Sequence, residues 1–150
     1  MKFVRYRAEH KQDCLNVFKS NMGRFFNANE LENYESYLNR HARSLPYFVV
    51  IQNDEVVACG GYAVARGMAT LSWGMVALQH HGKAIGNLLL LFRLKALQKD
   101  YGDIPLTIDT SQKTRSFFEK YGFEPTAIET NGYGGGLDKI IMEYRGGTLL

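Results

Sequence analysis

The residues able to do chemistry fall at three places along the chain. In 76–91, VALQHHGKAIGNLLLL, a β-prone run ends, small residues follow and an apolar helix begins. The first N–H groups of a helix have no internal partner and lie at the positive end of its dipole, so phosphate-like oxygens can accept from them. Gly82, Ala84 and Gly86 keep bulk out of that approach; His80 and His81 would serve there as anion contacts or solvated surface groups. There is no G-x-G-x-x-G, and Lys83 is followed by Ala84 where a P-loop needs Ser or Thr, so neither nucleotide loop is indicated. On its own, such a loop is also a plain tight turn between packed elements. The second place is Asp109 to Ser111, where the Asp either offers a carboxylate for proton transfer or caps the helix that follows. The third is a scatter of aromatics: Arg24, Phe25 and Phe26 in a loop, Trp73 in a strand and Tyr133 among glycines, each suited to lining a pocket or to packing.

These groups need elements to hold them. Residues 2–6 alternate as a short strand, and Cys14, Val17 and Phe18 fall at helical spacing. Asn27 with Glu30 three residues on resembles a capping box ahead of a second helix carrying Leu31, Tyr34 and Leu38 on one face, ending near Arg43 because Pro46 follows. The runs 47–52 and 55–65 predict a hairpin around Asn53-Asp54, and after Arg66-Gly67 another strand covers 70–77. Ile85, Leu88, Leu89, Phe92 and Leu97 predict a long, largely buried helix over 84–100, ended by Gly102 and Pro105. A strand at 106–109 precedes a helix that carries Thr114, Phe117, Phe118 and Tyr121 and stops at Gly122. Strands at 123–130 and 139–144 follow, around a loop at 131–138 whose four glycines leave it mobile or closely approached by a ligand. Strand, two helices, three strands, helix, strand, helix and two strands make a mixed α/β sandwich.

With 150 residues, 45% hydrophobic and 22% charged, the chain has the size and balance of one globular domain spanning 1–150. No stretch nears the roughly 18 apolar residues of a membrane span. The start, MKFVRYRAEHKQD, lacks the apolar stretch of a secretory signal, which points to the cytoplasm. Cys14 and Cys59 are too few for a disulfide framework or a zinc site, so reduced thiols are expected, with Cys59 packed in a strand and no metal. The net charge of +3 is spread without the clustering of a nucleic-acid footprint, and it suits an anionic small molecule.

The segment 81–86 resembles the acetyl-CoA-binding motif of the GNAT superfamily of acyl-CoA-dependent N-acetyltransferases, R/Q-x-x-G-x-G/A at the start of the central helix. His81 stands at the Arg/Gln position, Ala84 at the first Gly and Gly86 at the second small residue. A literal match at Gln79 to Ala84 would move the loop off the helix start. Independently, TSQKTRSFFEKYGFEP at 110–125 resembles the family's N-x-x-A-x-x-F/L-Y-E-K-x-G-F signature. Phe117, Glu119, Lys120, Gly122 and Phe123 match, Ser111 stands at the Asn position, Thr114 at the Ala position and Phe118 where many members have a catalytic Tyr.

The resemblance implies a central mixed, mostly antiparallel sheet of about seven strands flanked by four helices, with strands 4 and 5 splayed around the pantetheine arm of acetyl-CoA. It implies that Met75, Val76 and Ala77 bond the pantetheine amides, that N–H groups near Met75 and Val76 stabilise the oxyanion, and that His81, Gly82, Lys83, Ala84, Ile85 and Gly86 hold the pyrophosphate. Ser111 and Phe118 would also lie beside acetyl-CoA. Asp109 is then the leading base for an amine, and Ser111 or Thr110, or water, protonates the leaving thiolate, since Phe118 has no proton to give. Arg24, Phe25, Phe26, Trp73 and Tyr133 are the candidate acceptor contacts. The implied reaction passes an acetyl or other small acyl group directly to a primary amine of a small molecule or peptide, with no metal, nucleic acid or membrane partner. Exposed strand edges leave a homodimer open. The absent Tyr at 118 and the lack of an evident base leave a second reading, a non-catalytic acyl-CoA-binding module.

Overall fold

The computed structural model describes residues 1–146. β1 (Lys2–Arg5) leads through a 3-10 turn into α1 (Lys11–Ser20) and α2 (Glu30–Arg40). The meander β2 (Tyr47–Gln52), β3 (Glu55–Ala65) and β4 (Met68–Val76) follows, then α3 (Ile85–Tyr101), β5 (Leu106–Thr110), α4 (Arg115–Lys120) and the hairpin β6 (Phe123–Gly134) and β7 (Leu137–Tyr144). All seven strands form one sheet in the order β1-β2-β3-β4-β5-β7-β6. Every neighbouring pair is antiparallel except β4 and β5, the mixed, mostly antiparallel arrangement expected.

β4 and β5 are parallel because α3 carries the chain back between them, the long connection that parallel neighbours need. Their pairing covers only Ala69↔Leu106 and Thr70↔Thr107. Beyond it the strands part, which is the splay that the resemblance implied.

Neighbouring residues of a strand face opposite sides of the sheet, and the core divides accordingly. Val49 and Cys59 belong to a cluster with Cys14, Phe18, Tyr34 and Leu38 of α1 and α2. Val50 and Ala58 meet Ile85 and Leu89 of α3, and Leu90, Leu94 and Leu97 continue that layer toward β5 and β7. α3 is rotated from the expected face: Leu88 is 43% exposed, whereas Arg93 is buried at 4%. The helix is leucine-rich on most sides, so periodicity does not select a face.

Two further boundaries differ from expectation. α2 ends at Arg40, short of Arg43. The loop expected at 131–138 is mostly strand, with β6 running to Gly134, a register break between Glu129 and Gly134, and a turn through Gly135 and Gly136 at φ 61° and 86°. The hairpin is clasped from α2's leading loop, since Asn27 Nδ2–H donates to Tyr133 O at 2.8 Å and to Gly134 O at 2.6 Å. Only half of the expected capping box forms, Asn27 N–H to Glu30 Oε2 at 3.0 Å, because the Asn27 side chain is used on the hairpin. Among the described residues no helix is long and apolar enough to cross a membrane.

Candidate active site

The gap between β4 and β5 opens into a cavity of about 810 Å³. Its β4 wall is irregular: Met75 pairs with Cys59 but Ser72 pairs with Gly61, so Trp73 and Gly74 together oppose Gly60 in a bulge. Trp73 takes φ 42°, strained for an aromatic residue, and Tyr47 Oη–H fixes it by donating to Trp73 O at 2.8 Å. Trp73 also packs against Tyr34 at 5.1 Å, so it is at once core and cavity wall. Beyond the bulge, Ala77 N–H donates to Val57 O at 2.8 Å, and strand alternation points Val76 N–H the other way, into the gap. Val76 O accepts from Asn21 Nδ2 at 2.9 Å and from His81 Nε2 at 2.8 Å. A carbonyl only accepts, so His81 carries its proton on Nε2; with both lone pairs taken, the Val76 N–H is the group left for a ligand.

α3 then begins in the way its small residues suggest. Gly82 and Ala84 have φ of 79° and 62°. The first helical bond is Leu88 N–H to Ala84 O at 3.2 Å, which leaves the N–H groups of Ile85, Gly86 and Asn87 without helical partners. A Cβ placed on Gly86 would meet Phe117 and Val76 atoms at 3.7–3.8 Å, ordinary contact, while one on Gly82, before the helix, would meet nothing within 4 Å. His81, Gly82, Ala84, Ile85 and Gly86 line the cavity together with Met75 and Val76, and the His81 ring stands edge-on to Phe25 at 5.2 Å. Lys83 is exposed, its Nζ donating to His80 Nδ1 at 3.5 Å, and Arg24 is exposed too; neither is part of the lining.

The left-handed conformation costs an L-residue such as Ala84 roughly 1–2 kcal/mol, which glycine avoids. Ala84→Gly is therefore expected to raise the melting temperature, by about 2–4 °C per kcal/mol for a chain of this size. A calorimetric scan showing a lower value would contradict the conformation at the loop.

The other side of the cavity carries Phe25, Phe26, Glu30, Trp73, Asp109 and Tyr133. Asp109 is not a helix cap. α4 starts after Thr114, and Ser111 closes the turn leading into it, its O accepting from Thr114 and Arg115 N–H and its Oγ from Lys113 N–H at 3.2 Å. Asp109 instead lies 3.8 Å from Lys139 Nζ, in a pair that is well exposed on both sides. Thr110 and Thr114 share a short hydroxyl contact beside Ser111. Phe118 lines the cavity with no polar atom to offer, wedged between Phe117 at 5.1 Å and Phe123 at 5.5 Å.

Glu30 is the functional candidate that sequence reasoning missed, because its spacing from Asn27 already accounted for it as a cap. Half-buried in the lining, its carboxyl is pushed above the ordinary range by burial, partly offset by the Asn27 N–H bond. Burial also raises Tyr133, and the nearby Asp109 and Glu30 carboxylates add to the rise.

Residues 11–145 match the model of the acetyltransferase (GNAT) domain. Similar solved structures include a GNAT-family protein from Desulfovibrio desulfuricans, 23% identical over 95% of this chain and 96% of that one, with a TM-score of 0.78. A ribosomal-protein-alanine N-acetyltransferase from Brucella melitensis is 19% identical over 95% and 98%, with a TM-score of 0.75. An aminoglycoside 6′-N-acetyltransferase complexed with coenzyme A is 15% identical over 95% and 96%, with a TM-score of 0.73. A comparison with curated protein sequences finds no match. The identities speak for the fold alone, but the family model spans most of the sequence and its sheet, splay and helix-entry loop are all present: the chain belongs to the GNAT acetyltransferase family.

Proposed function

We propose that this protein transfers a small acyl group, acetyl in the simplest case, from its CoA thioester to a primary amine within one ternary complex. The observation that carries this is a single cavity lined both by the free N–H groups of a helix start and by a carboxylate-bearing aromatic pocket. When bound, acyl-CoA supplies an activated thioester; the CoA complex of a structural neighbour supports that choice. Ile85, Gly86 and Asn87 N–H hold the pyrophosphate, with Gly82 and Ala84 keeping the approach clear and His81 beside it. Val76 N–H lies where it can bond the pantetheine or the thioester oxygen as charge develops there. Phe25, Phe26, Trp73 and Tyr133 enclose the acceptor amine, a small molecule or a peptide end.

An alkylamine near pKa 10.4 must lose a proton before it attacks. Glu30 is the better base, since burial already favours its proton, whereas Asp109 is exposed and paired with Lys139. The leaving thiolate takes its proton from Ser111, Thr110 or water. Both thiols of the chain, Cys14 and Cys59, are free and buried, which suits a cytoplasmic protein.

Acetyl-CoA is expected to stabilise the fold by about 2.7 kcal/mol at one hundred times its Kd, which is a rise of about 5–10 °C. Nicotinamide dinucleotides should do much less. An unchanged melting temperature at millimolar acetyl-CoA would sink the assignment.

Phe118 tests the acid step. A thiol of ordinary pKa near 8.5 leaves tolerably at neutral pH, while a placed general acid contributes about 10² to 10⁴ in rate. Tyr121 packs on Phe117 at 5.2 Å outside the lining and cannot take over. Phe118→Tyr is expected to keep or raise kcat and Phe118→Leu to keep most of it. A folded Phe118→Leu protein with normal CoA affinity and no turnover would show that the ring positions the thioester or the acceptor.

A further inference from the structure

Arg93 is the only charged residue buried among those described, on the face of α3 that otherwise carries Leu90, Leu94 and Leu97. A guanidinium has five N–H donors and no acceptor. Here Nη1–H donates to Gly61 O at a long 3.3 Å, Nε–H has no partner, and no Asp or Glu pairs with the group among the described residues. Its charged-state neighbours are the weak acids Tyr47 and Cys59.

The sheet is cleared to admit it. A Cβ on Gly74 would stand 2.6 Å from Nη2, and one on Gly60 would stand 3.3 Å from the guanidinium carbon. The head group therefore lies against the β4 bulge, and it lines the same cavity as Val76 and the start of α3. Leu71 and Ile108, where β4 and β5 first part, complete that end of the cavity and belong to the α3-side core. Arg93 is thus the cationic end of an otherwise apolar recess. Trp73 and Phe26, on the acceptor side, pack with α1 and α2 on the opposite face of the sheet.

Burying a charge without a counter-charge is costly, and a planar fork of unused donors matches a carboxylate. Arg93 enters the recess from the α3 face, and on that ground the anion that completes it is assigned to the acyl group rather than to the amine. Resting on the acyl-CoA reading above, we propose that Arg93 makes this recess a carboxylate site, so that the preferred donor is the CoA thioester of a short dicarboxylic acid, malonyl or succinyl. The N–C bond forms as the C–S bond breaks, one amine proton passes to Glu30, the thiolate is protonated by a hydroxyl or water, and the distal carboxylate is carried through unchanged. The product is a malonamic or succinamic acid.

Isovaleryl-CoA has the shape of malonyl-CoA with an isopropyl group in place of the carboxylate, which isolates the charge. By titration calorimetry on the wild-type protein, malonyl- or succinyl-CoA is expected to bind about ten- to a hundredfold more tightly than isovaleryl-CoA. Free CoA, titrated alongside, separates the two readings. If free CoA does not bind, the acyl-CoA reading falls and this inference with it. If free CoA binds but isovaleryl-CoA equals or beats both dicarboxylic donors, only the inference falls, as it does if the Cys59 thiol is already the counter-charge. Arg93→Leu, which replaces an unpaired buried charge by a hydrophobe, is expected to fold and to reverse the order. A folded Arg93→Leu protein that kept the dicarboxylic preference would also overturn the proposal.

Discussion

Gly86→Glu is expected to abolish acyl-CoA binding and turnover while leaving a cooperatively folding protein. The position tolerates a side chain in the fold itself, since a Cβ there meets only Phe117 and Val76 atoms at 3.7–3.8 Å. Replacing glycine in a helix also recovers up to about 1 kcal/mol of propensity, and an acid in the first turn suits the helix dipole. The same carboxylate, however, competes for the N–H groups of Ile85, Gly86 and Asn87 and repels an incoming pyrophosphate. Losing two charge-assisted hydrogen bonds at about 1.5–3 kcal/mol each removes roughly 10² to 10⁴ in affinity. Thermal scans with and without acetyl-CoA read both halves of the expectation: an unligated melting temperature at or above wild type, and no ligand-induced rise. A retained rise would place the pyrophosphate elsewhere.

Glu30→Gln is expected to lower kcat by about 10² to 10⁴ with little change in CoA affinity, since a positioned base contributes about that much. Stability should hold, because Gln can accept the Asn27 N–H as well as Glu does. The linkage sign agrees. A carboxyl whose pKa is raised by folding adds stability as the acid and loses that contribution as pH climbs through the raised value, so removing its charge costs nothing at neutral pH. In the wild type, kcat/KM should fall as pH drops through that raised pKa, and the substitution should erase this limb. Asp109→Asn, acting on an exposed ion pair, should cost much less; the opposite ranking of the two variants would return the base role to Asp109.

Much of this frame was legible because local chemistry dictated it. The bounds of β2 and β3 follow from Asn53 and Asp54, both left-handed at φ 52° and 61°, a turn these residues tolerate and a two-residue hairpin requires. The helix-entry loop was legible from the change of period at 82–86 and from small residues where backbone must stay open. What escaped depends on distant partners. The left-handed φ of Trp73 is held by a hydroxyl from β2, and in TLSWGMV only Gly74 hints at the bulge. The 131–138 segment reads as a glycine loop, yet Asn27, more than a hundred residues away in sequence, clasps it as a hairpin. Arg93 lies in LLLLFRLKAL, where apolar residues on every side hide which face is buried, and only the glycines at 60 and 74 reveal that room was made for it. Glu30 and Asp109 were hard to tell apart for a related reason: each has a local capping pattern, and only the tertiary structure shows Glu30 half-buried in the cavity wall and Asp109 exposed beside Lys139.

Amine-dependent release of CoA separates an enzyme from a binding module. Wild-type protein, acetyl- and malonyl-CoA, and a panel of primary amines covering polyamines, amino acids, aminoglycosides and peptide amino termini would be followed with a thiol reagent, with products identified by mass spectrometry. The predicted result is saturable thiol release with at least one amine class, matched by an N-acyl product and absent in Gly86→Glu. Tight, saturable acyl-CoA binding with no thiol release above the amine-free rate for any class would contradict it and leave a binding module in place of an enzyme.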